Sequence, residues 1–322
     1  HIAPRHDFQL RKQIPDLIQV CISYSIKCSV IDKLQIKNTF GDRHIISGFV
    51  MNYKICNFET KILILILNPV TITSDFGTRD FYAAVVNGRL LSLQPALNIV
   101  TVTHQIRQYD VFQASVIVRN MWSSFPDGTV HLVLVNGTSG NQDRQVAIKY
   151  RNHFFVGPDN GLHGLVFDET PEAIVQLDQE IIEHETFPEL DICTKAAVHL
   201  AEGKDILEIG SKTTSLLESM PFRQTSDNNT IKGMVIYIDN YHNAITNITK
   251  KMFDKMNKNN KYIIRFGKYY TQKISPTYHY APEAELVAVF GSTGLLEIAL
   301  YQTSARELLG IQVNDVVRIE FE

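Results

Sequence analysis

The sequence predicts an α/β N-terminal domain with a largely parallel sheet, followed by a small all-β, barrel-like C-terminal domain. Two observations carry this. Between Ile62 and Ala201 short β-branched runs alternate with stretches of helical spacing, the pattern of helices packed on a mainly parallel sheet. Beyond Thr230 the runs read mainly as strands, the profile of a small barrel or sandwich. A polar stretch rich in Ser, Thr and Asn lies between them and reads as a linker.

The run Ile62–Thr73 is the first expected strand, ending in the turn Ser74-Asp-Phe-Gly77. A helical stretch from Asp80 to Leu93 follows, closed by Pro95, and then the strand Asn98–Thr103. Val111, Ser115, Val118, Trp122 and Phe125 share one helical face, and Pro126-Asp-Gly128 stops that helix. Strands are expected at Val130–Val135, Gln145–Tyr150, His153–Val156 and Ala173–Leu177, and a helix at Asp191–Ala201. In the last third, strands are expected at Gly233–Asp239, Tyr262–Phe266, Leu286–Phe290, Leu295–Leu300 and Val313–Phe321, with a short helix near Ser304–Leu309. The resulting division is 1–60 as an unassigned extension, 61–210 as the α/β domain, 211–230 as the linker and 231–322 as the barrel domain. Residues 1–50 show no sustained period, and Met51 stands shortly before the first regular strand; a natural start at Met51 is the expectation there.

Composition narrows the function. The chain is 44% hydrophobic and 20% charged, with a net charge of −3. It lacks the basic face that nucleic acid or an anionic membrane surface attracts. Four cysteines, Cys21, Cys28, Cys56 and Cys193, match neither a zinc-ligand spacing nor a disulfide framework, which fits a reducing cytoplasm and predicts no metal. The apolar run Ile62–Leu67 is far shorter than the roughly 20 residues of a membrane-spanning helix.

Seven segments, in order, bear on the chemistry: Thr71-Ile-Thr-Ser-Asp-Phe-Gly77, Ile99-Val-Thr-Val-Thr-His104, Phe125-Pro-Asp-Gly-Thr-Val-His131, Gly157-Pro-Asp-Asn-Gly-Leu162, Thr186-Phe187 with Ala197-Val-His-Leu-Ala201, Ile238-Asp-Asn-Tyr-His-Asn243 with Thr246-Asn-Ile248, and Gly291-Ser-Thr-Gly-Leu-Leu-Glu-Ile-Ala299. Together they resemble the S-adenosylmethionine hydroxide/halide adenosyltransferase family over about residues 66–322. The resemblance implies an α/β domain and a β-barrel domain, a homotrimer with its site between subunits, and S-adenosylmethionine as substrate with no cofactor.

By that likeness Asp75 binds the ribose diol, since a carboxylate accepts from both hydroxyls; as a bare residue it reads equally as a helix N-cap. Asp239 would hold the α-ammonium of the methionine moiety, Asn243 would read the adenine edge, and Tyr241 would pack on the ligand. As residues alone, Asp-Asn-Tyr-His-Asn is a barrel turn. Ser292 matches the serine that holds the methionine carboxylate, and Thr293 stands where halide-using members have Arg; without the likeness Gly291–Gly294 is a hairpin turn. Tyr109 walls the pocket or sits in the core. Ser139, in the loop Asn136-Gly-Thr-Ser-Gly140, donates to the nucleophile or is a turn serine.

The implied reaction is displacement at the ribose 5′ carbon with neutral methionine as leaving group, so the protein supplies position and dehydration rather than an acid. Hydroxide-using members activate water with an Asp, an Arg and a His. Here Thr101 stands at the Asp position and Gln108 at the Arg position, leaving His104, Arg107 and His163 as the candidate catalytic groups; as residues alone the two histidines read by default as structural hydrogen-bonders. Val135-Asn-Gly137 replaces an Asp-Pro-Gly turn, and His242 replaces a Gly whose backbone angle disfavours a side chain. At the halide-binding Ser position lies Glu189, whose charge repels an anion. Hydrolysis to adenosine and methionine is therefore the expected activity, with S-adenosylmethionine binding without turnover as the alternative and halide transfer behind both.

Overall fold

Val70 opens the strand around which the mainly parallel sheet is laid. The computed structural model describes residues 48–55, 58–65, 67–137, 144–178, 183–184, 186–217, 219, 224–227, 229–257 and 261–322. The chain divides into two units, His1–Ile66 and Leu67–Glu322. Of the first unit the described part is an antiparallel hairpin, β1 (Gly48–Ile55) and β2 (Phe58–Leu65), in register from Gly48 opposite Leu65 to Ile55 opposite Phe58. The run expected as one strand, Ile62–Thr73, is thus two: β2 ends at Leu65 and the next strand begins only after Pro69. Pro69 has no N–H to give to a sheet.

The second unit begins with a seven-stranded sheet in the order β4-β3-β5-β7-β6-β8-β9. Its strands are β3 (Val70–Ser74), β4 (Ile99–Thr103), β5 (Val130–Leu134), β6 (Gln145–Tyr150), β7 (His153–Pro158), β8 (Ala173–Leu177) and β9 (Gly210–Thr213). From β4 to β7 neighbours run parallel, and β6, β8 and β9 extend the sheet antiparallel. β9 pairs Ser211 with Gln176 and Thr213 with Ile174, so the polar stretch expected as linker from residue 211 opens as an edge strand. Its polar residues fit there because an edge strand keeps one side toward water.

The alternation of side chains across the strands makes two cores. Leu132 and Leu134 face helices α1 (Tyr82–Leu93) and α4 (Pro188–Ala201) through Val86, Leu90, Ala197 and Leu200. Val133 and Val135 face the opposite way, onto α2 (Val111–Met121) and α3 (Leu162–Val166) through Ala114, Val118, Leu162 and Val166. A strand buried on both faces reads as an unbroken apolar run, and Val130–Leu134 does so except for His131. That ring is accommodated by hydrogen bonds to Thr71 Oγ1 (2.8 Å) and His153 (3.1 Å) and by stacking on His153.

The C-terminal part is an antiparallel, barrel-like sheet in the order β14-β13-β17-β11-β12-β16-β15, with β10 on β11. The strands are β10 (Thr225–Ser226), β11 (Thr230–Ile238), β12 (Ala244–Thr249), β13 (Tyr262–Phe266), β14 (Tyr269–Thr271), β15 (Leu286–Phe290), β16 (Leu295–Leu300) and β17 (Val316–Phe321). Two helices, α5 (Lys250–Met256) and α6 (Ala305–Leu309), lie between strands. β12 and α5 were not expected from sequence. In β12 the inward positions are Ala244, Thr246 and Ile248, and Thr246 breaks the apolar alternation. It is tolerated because its hydroxyl donates to the Leu296 carbonyl at 2.8 Å. Thr249 then caps α5 by accepting from the Met252 N–H.

Among the described residues no helix is long and apolar enough to cross a membrane.

Burial makes this fold acid-sensitive. Burial and the neighbouring His153 hold His131 down at about 3, and burial holds His163 at about 4 against the opposing pull of Asp159. Both folded values lie below the unfolded value near 6.5, so between these limits the unfolded chain binds more protons and stability falls as pH falls. From pH 6.5 to pH 5 each histidine should remove about 2 kcal/mol. Urea denaturation at pH 7 and pH 5 checks this; coincident midpoints would contradict it.

Candidate functional site

β3 is the strand at which the sheet reverses direction. The chain leaves it through α1 to β4 on one side and passes through α2 to β5 on the other, and the two helices cover opposite faces. Ligands in such sheets bind outside the carboxyl end of the strand at this switch point. The residue there is Asp75.

Asp75 is half-buried. Its Oδ2 accepts the backbone N–H of Tyr109 at 2.9 Å and of Asn136 at 3.2 Å. Among the described residues its Oδ1 has no protein partner. The N-cap of α1 is Phe81, without a side-chain bond, so Asp75 is not a helix cap. Tyr109 and Asn136 both have positive φ, 65° and 50°, a strained setting for residues with side chains that recurs at functional sites. An open cleft of about 830 Å³ lies against Asp75, lined also by Phe76, Gly77, Gln105, Arg107, Gln108 and Tyr109. Tyr109 is 69% exposed and walls this cleft rather than packing in the core. Behind it Phe76 meets Phe187 edge-on with ring centres 5.4 Å apart, and both meet Tyr82.

The structure places the three described catalytic candidates differently. Arg107 is in the cleft, exposed, and paired with Asp110 at 3.4 Å, an exposed contact worth little. His104 is buried beneath the cleft floor, 2.7 Å from Ser74 Oγ, with burial lowering its pKa. Its carbonyl accepts the Gly77 N–H, so it ties the end of β4 to the Asp75 turn. His163 is fully buried in α3 and donates to the Pro158 carbonyl. Ser139 lies outside the described residues. Thr101 is exposed on the edge strand β4, and Gln108 is exposed in the cleft. Glu189 is buried in the first turn of α4. A Cβ on Gly137 would come 1.8 Å from its Oε1, one residue past the amide that holds Asp75. Together with burial, Glu189 raises the Cys193 thiol well above its ordinary value.

A second group gathers at the end of β11. Asp239 Oδ1 accepts the N–H groups of Tyr241 (2.9 Å) and Asn243 (2.8 Å), and Oδ2 accepts from the Asn243 side chain at 3.0 Å. Asp239 thus builds the turn it sits in. Tyr241 projects from that turn, 80% exposed, while Asn243 is buried. His242 takes φ 62°, the left-handed angle expected where a Gly would stand. Its Nδ1 bonds Ser304 Oγ at 2.8 Å, and its carbonyl accepts the Arg306 N–H. Ser292 is exposed at the tip of the β15–β16 hairpin, closed by Gly291 N–H to Leu295 and Gly294 N–H to Gly291. Within one chain the cleft at Asp75 is not lined by this second group.

Sequence reasoning did not single out the Asn136 amide or the Phe76–Phe187 wall. The Asn-Gly pair at 136–137 was a signal for the first, because Asn tolerates positive φ. Among the described residues Glu183, His184 and Asp191 bring donor atoms within 4.8 Å of one another. The Arg89 guanidinium already stands 3.4 Å from Asp191 there, and Asp191 accepts the N–H groups of Glu183 and His184.

Comparison with known proteins follows the same division. The profile of the SAM hydroxide adenosyltransferase N-terminal domain matches residues 70–210, and that of its C-terminal domain matches residues 233–318. The chain is 27% identical to the (R)-S-adenosyl-L-methionine hydrolase of Methanocaldococcus jannaschii, covering 79% of this chain and 96% of that one. It is 29% identical to the hydrolase of the same name from Thermus thermophilus, covering 79% and 100%. A Fluorinase from an Actinoplanes species is 25% identical, covering 58% and 74%. Among solved structures, a conserved hypothetical protein from Thermus thermophilus superposes with a TM-score of 0.64 at 30% identity, covering 79% and 100%. An uncharacterized conserved protein from Thermotoga maritima shares the fold with a TM-score of 0.72, covering 78% and 99%.

The close approach of Glu189 to Gly137 gives a measurable consequence. Gly137→Ala should destabilise the protein by about 1–3 kcal/mol through overpacking. An unchanged urea midpoint would mean that the Glu189 side chain moves aside freely.

Proposed function

Since the chain belongs to the SAM hydroxide adenosyltransferase family, we propose that it is an S-adenosylmethionine hydrolase, releasing adenosine and L-methionine by displacement at the ribose 5′ carbon. The observation that carries the reading is Asp75 at the switch point. One oxygen is pinned by two backbone amides, and the other, without a partner among the described residues, can face a ligand. A carboxylate so fixed accepts from the two hydroxyls of a ribose without reorganising, which is the setting in which charge-assisted hydrogen bonds count most.

In the proposed reaction a water oxygen attacks the 5′ carbon while the C–S bond breaks. The electron pair of that bond leaves with sulfur as a neutral thioether, and the water proton passes to solvent or to a nearby base. The sulfonium is a good leaving group, so the demands on the protein are alignment and exclusion of bulk water. Asp239 is assigned to the α-ammonium, Asn243 to the adenine, Ser292 to the carboxylate, and Tyr109 and Tyr241 to packing on the ligand. The site is completed by a second copy in a homotrimer, with Asp75 from one subunit and Asp239 from another. That arrangement agrees with the separation of the two groups within one chain.

Halide transfer is disfavoured by Glu189, a buried carboxylate beside Gly137. An incoming anion would be repelled and desolvated at once. One observation favours a second reading, binding without turnover: Thr101 and Gln108 provide neither a carboxylate base nor a guanidinium.

Chromatography after incubation with S-adenosylmethionine separates the readings. Adenosine is expected; a 5′-halo product would support halide transfer, and intact ligand with measurable binding would support the second reading. Asp75→Ala and Asp239→Ala should each weaken binding by roughly tenfold or more, the scale of one lost hydrogen bond to a charged group. Unchanged affinity in titration calorimetry would remove the corresponding assignment. A solution mass of one chain with full turnover would contradict the shared site.

A further inference from the structure

A second buried acid stands behind Asp239. Register places Tyr237 of β11 opposite Ile245 of β12, Ile245 opposite Glu297 of β16, and Glu297 opposite Val289 of β15. These residues form one row across the sheet. Leu296 and Ile298, either side of Glu297, point into the barrel core, so Glu297 is on the outer face. There it shares a face with Val287, Val289 and Ala299, which are covered by Tyr278, Ala281 and Tyr301. An acid in that position is only 7% exposed.

One of its oxygens is hydrogen-bonded and the other packs against the backbone of a turn. The Tyr278 hydroxyl donates to Oε2. Oε1 occupies the space beside Gly291, where a Cβ would come within 1.7 Å. Glu297 therefore packs against the hairpin that carries Ser292, and a side chain at position 291 would have to displace its carboxyl group. Asp239 is near enough for its charge to bear on Tyr237, Tyr278 and Glu297, adding to burial in raising each of them. Two carboxyl groups in one small region repel each other, and a cation bound near them relieves that repulsion.

We propose that Glu297 is a positioning residue for a ligand's cationic amino group: bonded to Tyr278 and packed on Gly291 it supports the hairpin that carries Ser292, and it adds a second acidic group behind Asp239. The identity of the ligand rests on the hydrolase reading; the juxtaposition of Tyr237, Asp239, Tyr278, Gly291 and Glu297 does not. A subsite of this kind takes an α-amino acid end and is indifferent to the nucleoside end.

The test compares S-adenosylmethionine with 5′-methylthioadenosine, which carries the nucleoside and a thioether but no amino acid. Calorimetric titration of the full chain should show Glu297→Ala weakening S-adenosylmethionine by about tenfold or more while 5′-methylthioadenosine stays within about twofold. Gly291→Ala, which displaces the same carboxyl group, should give the same split, and Glu297→Gln, which keeps an acceptor for the Tyr278 hydroxyl, should recover part of the loss. Equal weakening of both ligands would mean a structural role and overturn the proposal, as would unchanged binding of S-adenosylmethionine in both Ala variants. If the wild-type chain binds 5′-methylthioadenosine but not S-adenosylmethionine, the proposal and the hydrolase reading fail together. Normal wild-type binding with no split defeats the proposal alone.

Discussion

The hydrogen bonds from Tyr109 and Asn136 to a single oxygen of Asp75 hold together the ends of three parallel strands. Tyr109 belongs to the loop after β4, Asn136 to the loop after β5, and Asp75 follows β3. Both donors are kept at positive φ, which Asn136 tolerates and which costs Tyr109 of order 1–3 kcal/mol. That cost is sustained because the double-sided packing of β3 and β5 fixes where the strands end. His104 contributes from below, joining Ser74 to the β4 end, and it does so neutral because burial disfavours its charged form. The carboxylate is oriented before any ligand arrives.

The barrel part uses the same device with different elements. Asp239 collects the amides of Tyr241 and Asn243, and the strained His242 between them is held by Ser304 and Arg306 at the start of α6. In both places a carboxylate accepts backbone N–H groups from its own or a neighbouring loop. Glu297 is different: an acid inside the apolar run Leu295–Leu300 that nothing in the local pattern marks, because its partners Tyr278 and Gly291 are brought to it only by the sheet register.

Much of the architecture was legible because local patterns and tertiary burial agree. Val130–Leu134 and Gln145–Tyr150 are strands by composition and by position, and Leu286–Phe290 and Leu295–Leu300 behave alike. Where the two disagree, the reading failed. Ala244–Thr249 alternates with a buried Thr246 whose hydroxyl donates to the Leu296 carbonyl and accepts the Ile248 N–H. Ser211–Thr213 looked like linker and became an edge strand because β8 had an open side. Ile62–Thr73 looked continuous because apolar residues resume directly after Asn68-Pro69, although the sheet does not.

By itself the chain determined its two-part architecture, the strand-end position of Asp75, the turn around Asp239 and the family these belong to, since periodicity, turn chemistry and short motifs are local properties of neighbouring residues. Tertiary structure decided which candidates share a cleft. It set Arg107 and Tyr109 beside Asp75, sank His104 and His163 into the core, and set Glu189 against Gly137 and Glu297 against Gly291. Those outcomes depend on strand order, register and which face of a sheet a helix covers, and such relations between distant residues leave no mark in the spacing of adjacent ones.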